Sequence, residues 1–291
     1  MLCGTIISVE DVSAEGEYVY DFEVEDTHNY VANGLLVSNS AADTYRKLNA
    51  LASSAYWRYG FTGTNIRTDG RDMEMHGVLS AVLLRRTTSD LIEAGFLVPP
   101  AIRILRHRVK GYSKLNYQDA YTAITTDDAF NGVIAAVARE KIREEKKQTL
   151  ILVRRREHGQ RLDDLLCGDA VYINGDDPIE HRQRVKADFA ERRIPCIIAT
   201  DIFGEGQDIP SIDCLINCRL QESEIQTKQG IGRALRLAKG TNSYAESVAA
   251  GKSKAEIIDF LIEGHRHLAG HSLSRIEQYR SERAFKLSID D

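Results

Sequence analysis

Pro195-Cys-Ile-Ile-Ala199-Thr200-Asp201-Ile-Phe-Gly204-Glu205-Gly206-Gln207-Asp208-Ile209-Pro210 is the stretch that decides the fold of this chain. Its first five residues form a continuous apolar run, too short for a helix, that passes directly into a polar, glycine-containing loop. Such a run reads as a strand buried on both faces. Working outward, the same pattern recurs at Gln148–Val153, Val171–Ile173, Ile212–Asn217 and Ile257–Ile262. Helical stretches lie between these runs. One covers His158–Leu166, and a second spans Glu222–Arg236. A third starts at Asp177-Pro178-Ile179-Glu180, with Asp as N-cap, Pro first and Glu third, and runs to about Arg192 with Val185, Phe189 and Ala190 on one face. Alternating buried strands and helices predict an α/β fold with a doubly wound parallel sheet. Ligands of such sheets sit off the carboxyl ends of the strands, which directs attention to the loops after Ala199 and Cys218.

Composition sets the outer bounds. The 291 residues are 43% hydrophobic and 28% charged, the balance of a globular protein of one large or two ordinary domains. The net charge of -5 is unevenly distributed. Residues 1–39 hold eight acidic residues and no Lys or Arg, so all 38 basic residues face the remaining 35 acidic ones in the rest of the chain. A slightly basic body is compatible with a polyanionic partner and proves none. The five cysteines include no Cys-x-x-Cys pair, and Cys214 and Cys218 lie in or beside an apolar run, which favours buried thiols. His265, His267 and His271 lack partners placed to close a tetrahedron and read as a polar helix, so no metal site is expected. With no long apolar span and no signal-peptide pattern, the expected setting is cytoplasmic, away from membranes.

The loop chemistry then becomes specific. Thr200-Asp201, Gly204-Glu205-Gly206-Gln207-Asp208 and, later, Gln229-Gly-Ile-Gly232-Arg233-Ala-Leu-Arg236 resemble motifs V and VI of superfamily 2 helicases. Gly60-Phe-Thr62-Gly63-Thr64-Asn65 resembles motif III, with Asn65 where Pro is common. Ile151-Leu-Val153 and the arginine-rich turn after it resemble motif IV. The resemblance implies RecA-like lobes that use ATP and Mg²⁺ and act on nucleic acid, with DNA expected rather than RNA. It implies that Arg233 and Arg236 stabilise charge on a transferred phosphoryl group. It also implies that Gly206, Asp208 and Gln229 lie toward the nucleotide, that Thr200 touches the nucleic-acid backbone, and that Thr62 and Thr64 couple nucleotide state to closure. On the residues alone, Arg233 and Arg236 at i and i+3 share one helix face, which can equally be a solvated one. Arg154-Arg155-Arg156 can contact phosphates or simply face water.

The phosphate cradle Gly-x-x-x-x-Gly-Lys-Ser/Thr does not occur in the chain. Gly251-Lys252-Ser253 imitates its end, but Glu246 stands where the first Gly belongs, so the segment reads as a polar turn before the last strand. No Asp-Glu-x-His follows an apolar strand either. The Mg²⁺ carboxylates and the cradle are therefore expected on another polypeptide.

The first thirty-nine residues explain why. Thr5–Val9, Tyr18–Val24 and Tyr30–Val37 read as strands of a small all-β unit that cannot bury enough surface by itself. Val19-Tyr20-Asp21, Val24, His28-Asn29-Tyr30, Asn33-Gly34 and Asn39-Ser40 resemble the C-terminal end of an intein, of the Hint type. In that family the terminal Asn cyclises and cuts the chain after the next residue's hydroxyl has captured an acyl group. The resemblance assigns Asn39 and Ser40 those roles, with Asp21 and His28 assisting proton transfers. Ser38 departs from the usual His and predicts slower cleavage. Ser40-Ala-Ala-Asp-Thr44-Tyr45 resembles the stretch that follows helicase motif II, so both resemblances meet at residue 39/40. The expected organisation is an intein segment 1–39, a remnant of the first RecA-like lobe 40–110, a linker 111–131 and a C-terminal RecA-like lobe 132–291. The expected partner is an N-terminal helicase half carrying the intein N-part. The alternative is a non-catalytic helicase lobe that binds nucleic acid or protein and carries an inactive intein remnant.

Overall fold

The computed structural model describes residues 29–32, 35–38, 84–200, 212–222 and 224–290. The chain divides into two compact units, Met1–Ala81 and Val82–Asp291. In the first, β1 (Asn29–Ala32) pairs antiparallel with β2 (Leu35–Ser38), Asn29 opposite Ser38 and Ala32 opposite Leu35. The run Tyr30–Val37, expected as a single strand, is thus a hairpin. Asn33-Gly34 between the two strands is the dipeptide that two-residue hairpin connections favour. Thr5–Val9, Tyr18–Val24, Asp21, His28, Asn39, Ser40, Thr62, Thr64, Gly206 and Asp208 lie outside the described residues.

The second unit runs α1 (Thr88–Glu93), β3 (Pro100–Arg108), α2 (Tyr117–Thr126), α3 (Asp128–Arg139), a π-helical turn Glu140–Glu144 and β4 (Thr149–Leu152). It continues with α4 (Arg156–Leu166), β5 (Val171–Ile173), α5 (Ile179–Ala190), β6 (Cys196–Ala199) and β7 (Cys214–Asn217). The last elements are α6 (Glu224–Ala234), α7 (Tyr244–Ala249), β8 (Ala255–Glu263), α8 (Arg266–Arg280) and β9 (Lys286–Asp290). Seven strands form one sheet in the order β5-β6-β4-β7-β8-β3-β9, and every neighbouring pair is parallel.

Alternation along each strand feeds two cores. Ile151, Ile198, Ile216 and Ile258 join one with Tyr121, Ile124, Phe130, Ile134 and Leu162 from α2, α3 and α4. Leu150, Leu152, Ile197, Leu215 and Ile257 join the other with Val185, Phe189 and Ile231 from α5 and α6. The expected parallel, doubly wound α/β sheet is therefore present. Cys214 and Cys218 are buried free thiols, as expected, and burial raises the pKa of both.

Three expectations need correction. β3 is hydrogen-bonded between β8 and β9, so Pro100–Arg108, expected in a remnant of another lobe, is part of this sheet. α1 also belongs here, since Ser89 Oγ donates to Glu282 at 2.6 Å and Arg283 binds Glu93 and Asp90. The stretch 111–131 is not a linker: it holds α2 and the start of α3, and Ala120, Tyr121, Ile124 and Phe130 are fully buried. Its helical signal was present. Tyr117, Ala120, Tyr121 and Ile124 stand at i, i+3, i+4 and i+7, with Asn116 capping α2 and Asp127 capping α3. Finally, Asp177 does not cap α5. Its carboxylate accepts from the Asn174 amide at 2.6 Å, and Pro178 precedes the first helical residue.

Candidate functional site

Because all seven strands are parallel, their carboxyl ends share one edge of the sheet. Thr200 follows β6 there, Arg154 and Arg155 follow β4, and Cys218–Gln221 follow β7 and lead into α6. That last loop is tightly held. The Cys218 amide donates to Leu152 O at 2.8 Å, Tyr121 Oη donates to Arg219 O at 2.9 Å, and Arg275 Nη1 donates to Gln221 O at 3.1 Å. Leu220, 1% exposed, adopts a left-handed φ of 56°. A buried leucine in that region is strained, and it persists because the surrounding bonds over-determine it.

Beneath the loop lies a buried polar network. Arg275 on α8 grips Asp259 on β8 through both oxygens, Nε to Oδ2 at 2.9 Å and Nη2 to Oδ1 at 2.8 Å. Tyr279 Oη also donates to Asp259 Oδ2, and Asn217 Nδ2 donates to the same oxygen at 3.1 Å. Asp259, Arg275 and Tyr279 are each 1% exposed. Burial followed by the Asp259 charge drives the Tyr279 hydroxyl far above the usual tyrosine range, so it stays a donor. Asn217 Oδ1 in turn accepts from Arg219 Nε at 3.3 Å. A methyl group on Gly230 of α6 would stand 2.5 Å from Arg219 Nη2. Gly230, inside the Gln229-to-Arg236 motif, is thus glycine because the Arg219 guanidinium packs against the helix there.

The remaining expected residues fall as follows. Gln229 and Arg233 are on α6, with Arg233 in its last turn. Arg236 is not on the same helix face: α6 ends at Ala234, and Arg236 forms an isolated antiparallel bridge with Leu97. Leu235, fully buried, accepts from the Val98 amide at 2.8 Å and draws the chain out of the helix. The Arg236 side chain is exposed by area, yet enough protein surrounds its guanidinium to lower its pKa by desolvation. Thr200 is at the sheet edge but only 7% exposed. Arg154 and Arg155 are stacked on the Tyr121 ring, at 5.6 and 4.8 Å from its centroid. Arg155 also donates to Thr122 Oγ1 at 2.6 Å and to Gln118 Oε1 at 3.2 Å, so α2 holds this turn in place.

Positive charge converges beside Arg233. Lys186 on α5 is pushed down to about 8, first by burial and then by the charges of Arg182 and Arg233. The residues here fit a polyanion such as a nucleoside triphosphate. Among the described residues no group of His, Cys, Asp and Glu is arranged to hold a metal ion. Sequence reasoning missed Arg219, Asp259, Arg275 and Tyr279; a lone Asp amid Ile257–Ile262 was the one available signal.

Residues 132–238 match the helicase conserved C-terminal domain family. The segment runs from within α3 through α6 and includes the held loop, Arg233 and Arg236. A Saccharomyces cerevisiae protein assigned as an ATP-dependent helicase, IRC3, is 24% identical over 75% of this chain and 36% of its own length. The ATP-dependent RNA helicase SUB2 of Debaryomyces hansenii is 30% identical over 40% of this chain and 27% of its own. The matched part of the chain thus spans about a third or less of the length of these relatives. Among solved structures, a fragment assigned as the HsdR subunit of a type I restriction enzyme from Vibrio vulnificus YJ016 superposes with a TM-score of 0.65. It is 18% identical, over 89% of this chain and 47% of the other. S. cerevisiae Dbp5 bound to RNA and ADP BeF3 gives 0.54 at 18% identity, over 88% of this chain and 59% of Dbp5. The fold is that of a RecA-like helicase C-terminal lobe. Among the described residues no helix is long and apolar enough to cross a membrane.

Proposed function

We propose that the chain is the C-terminal half of an ATP-dependent helicase, joined to an N-terminal half by a C-terminal intein segment, residues 1–39. The observation that carries the helicase reading is the motif VI helix α6, which bears Arg233 beside Lys186 and Arg182 within the matched helicase domain. ATP with Mg²⁺, when bound, would supply the binding and hydrolysis that drive lobe closure. Arg233 and Arg236 would neutralise charge developing on the phosphoryl oxygens, an effect worth about 10³–10⁵ in rate in arginine-finger systems. Gly206, Asp208 and Gln229 would line the nucleotide side. Thr200 would face the nucleic-acid backbone, Thr62 and Thr64 would transmit nucleotide state, and the phosphate cradle and metal carboxylates would come from the other half. DNA is the substrate we favour, on the motif resemblance to repair and recombination helicases. The names of similar proteins point both ways, to RNA for SUB2 and Dbp5 and to a restriction enzyme for HsdR.

The splicing reading rests on Asp21, His28, Asn39 and Ser40 in the order the chemistry requires, at the point where the helicase resemblance begins. Mixing the chain with a helicase N-half carrying an intein N-part should yield a larger, ligated ATPase. Ser40→Ala should abolish ligation and Asn39→Ala should stop it at a branched intermediate; ligation by both variants would remove the splicing reading. Ser38 in place of histidine favours a second reading, a binding lobe with an inactive intein remnant. In that case no ligation occurs, and the chain still shifts a labelled oligonucleotide in a gel.

A further inference from the structure

Gly251-Lys252-Ser253 forms the expected turn before a strand, here β8, but the lysine within it is buried although Gly251 and Ser253 are exposed. Lys252 is 3% exposed. Helix α7, capped by Ser243, ends at Ala249, and Gly251 takes a φ of +91°. The reversal brings the Lys252 amide to Ser247 O at 2.8 Å and turns the lysine side chain inward. Its ammonium donates to Ala234 O at 3.0 Å, the carbonyl of the last residue of α6. Helix C-termini leave carbonyls without intrahelical partners and carry partial negative charge, which a buried cation satisfies on both counts.

The same turn makes a second bond to the same segment. Ser247 Oγ accepts from the Ala238 amide at 2.9 Å and donates to Lys252 O at 2.8 Å. Between these anchors, Leu235 O is bound by Val98 and Arg236 pairs with Leu97. The segment 234–238 is thus held at both ends and in the middle, with Arg236 at its centre. The charges facing Lys252 are Asp213, Arg192 and Arg236, and Arg192 itself pairs with Asp213 at 3.0 Å. Burial first, then the two arginines, lowers Lys252 to about 8.

We propose that Lys252 is a positioning residue: its ammonium caps the C-terminus of α6 and fixes the turn that presents Arg236. The consequence for catalysis rests on the ATP-dependent reading above, whereas the clamp itself does not. Lys252→Met keeps the apolar stem and removes the donor; Lys252→Arg keeps a cationic donor. In the full chain, hydrogen exchange of the 234–238 amides should quicken about tenfold or more in Lys252→Met and recover in part in Lys252→Arg. Exchange of the α8 amides around Arg275 should stay unchanged and certify folding. The Arg236 Nε–H resonance should move in Lys252→Met and return toward its wild-type position in Lys252→Arg. In the ligated enzyme, kcat for ATP hydrolysis should fall about tenfold in Lys252→Met with KM for ATP nearly constant. Unchanged protection of 234–238 overturns the clamp. Quickened exchange with an unmoved Arg236 resonance overturns the positioning of that arginine. A wild-type ligated enzyme without ATPase activity overturns the ATP reading, while exchange and resonance still decide the clamp.

Discussion

Of the three acidic residues of strand β8, Glu256 and Asp259 stand three positions apart, and each anchors a charge network of a different kind. Glu256, toward the amino end, is bound by Lys141 at 3.2 Å and Lys147 at 2.7 Å, and both lysines also pair with Glu145. The carboxylates remain partly exposed there, with Glu256 at 19% and Glu145 at 33%. Asp259, at the middle of the strand, is sealed with Arg275, Tyr279 and Asn217 and connects onward to Arg219, Gly230 and the loop entering α6. The first network staples the π-helical turn to the sheet. The second transmits the position of β7 and β8 to the helix that bears Arg233. Solvent access makes the difference: a wet network can re-form around a missing member, whereas a dry one leaves an uncompensated charge.

The largest expected effect breaks the dry network. Asp259→Asn strands Arg275 in the core and should cost about 3–5 kcal/mol, measured by denaturant unfolding. A loss below about 1 kcal/mol would place both networks in one class. Next, Gly230→Ala puts a methyl group against Arg219 and should cost about 1 kcal/mol net of the better helix propensity of alanine. Adding Arg219→Ala to that variant should erase the penalty, and a double-mutant cycle measures the coupling. Smaller again, Lys141→Met should cost about 1 kcal/mol or less, because Lys147 still binds both Glu145 and Glu256. Raising the salt to 1 M should shrink this difference and leave the Asp259→Asn difference intact.

The smallest effect is in acid. Burial raises the Glu145 pKa, but hydrogen bonds from Lys141 and Lys147 and their charges outweigh it and hold it at about 2. Glu256 is lowered in the same way, burial again opposing. A carboxylate with a depressed folded pKa contributes stability above its unfolded pKa, about 4.3 for Glu, and loses it as pH falls toward the folded value. Unfolding midpoints should therefore drop between about pH 4.5 and 2, with a shallower slope in Lys141→Met. Equal slopes would show that the wet network does not titrate as described.

The strands were the most legible part of this molecule. Val171–Ile173 has the same bounds in sequence and structure, and Pro195–Ala199, Ile212–Asn217 and Ile257–Ile262 each contain or lie within an observed strand. Their apolar runs are unbroken because both sheet faces are covered. β3 was overlooked because Arg103, Arg106 and Arg108 interrupt it, and α2 because its buried face is a narrow stripe among polar residues. At the site, Arg233 was read on its helix. The excursion of Arg236 depends on Leu97 and Val98, more than a hundred residues away, which no local pattern reports.

By itself, the sequence determined the strand–helix alternation, the parallel sheet and the positions of the helicase-like motifs, because these depend on local periodicity and residue type. Only the tertiary structure decided that residues 84–131 belong to the same lobe, that Lys252 is a buried cap, and that Asp259, Arg275 and Arg219 form one network. Each of those depends on pairing between residues far apart in the chain, where burial turns an ordinary charged side chain into a fixed hydrogen-bond partner.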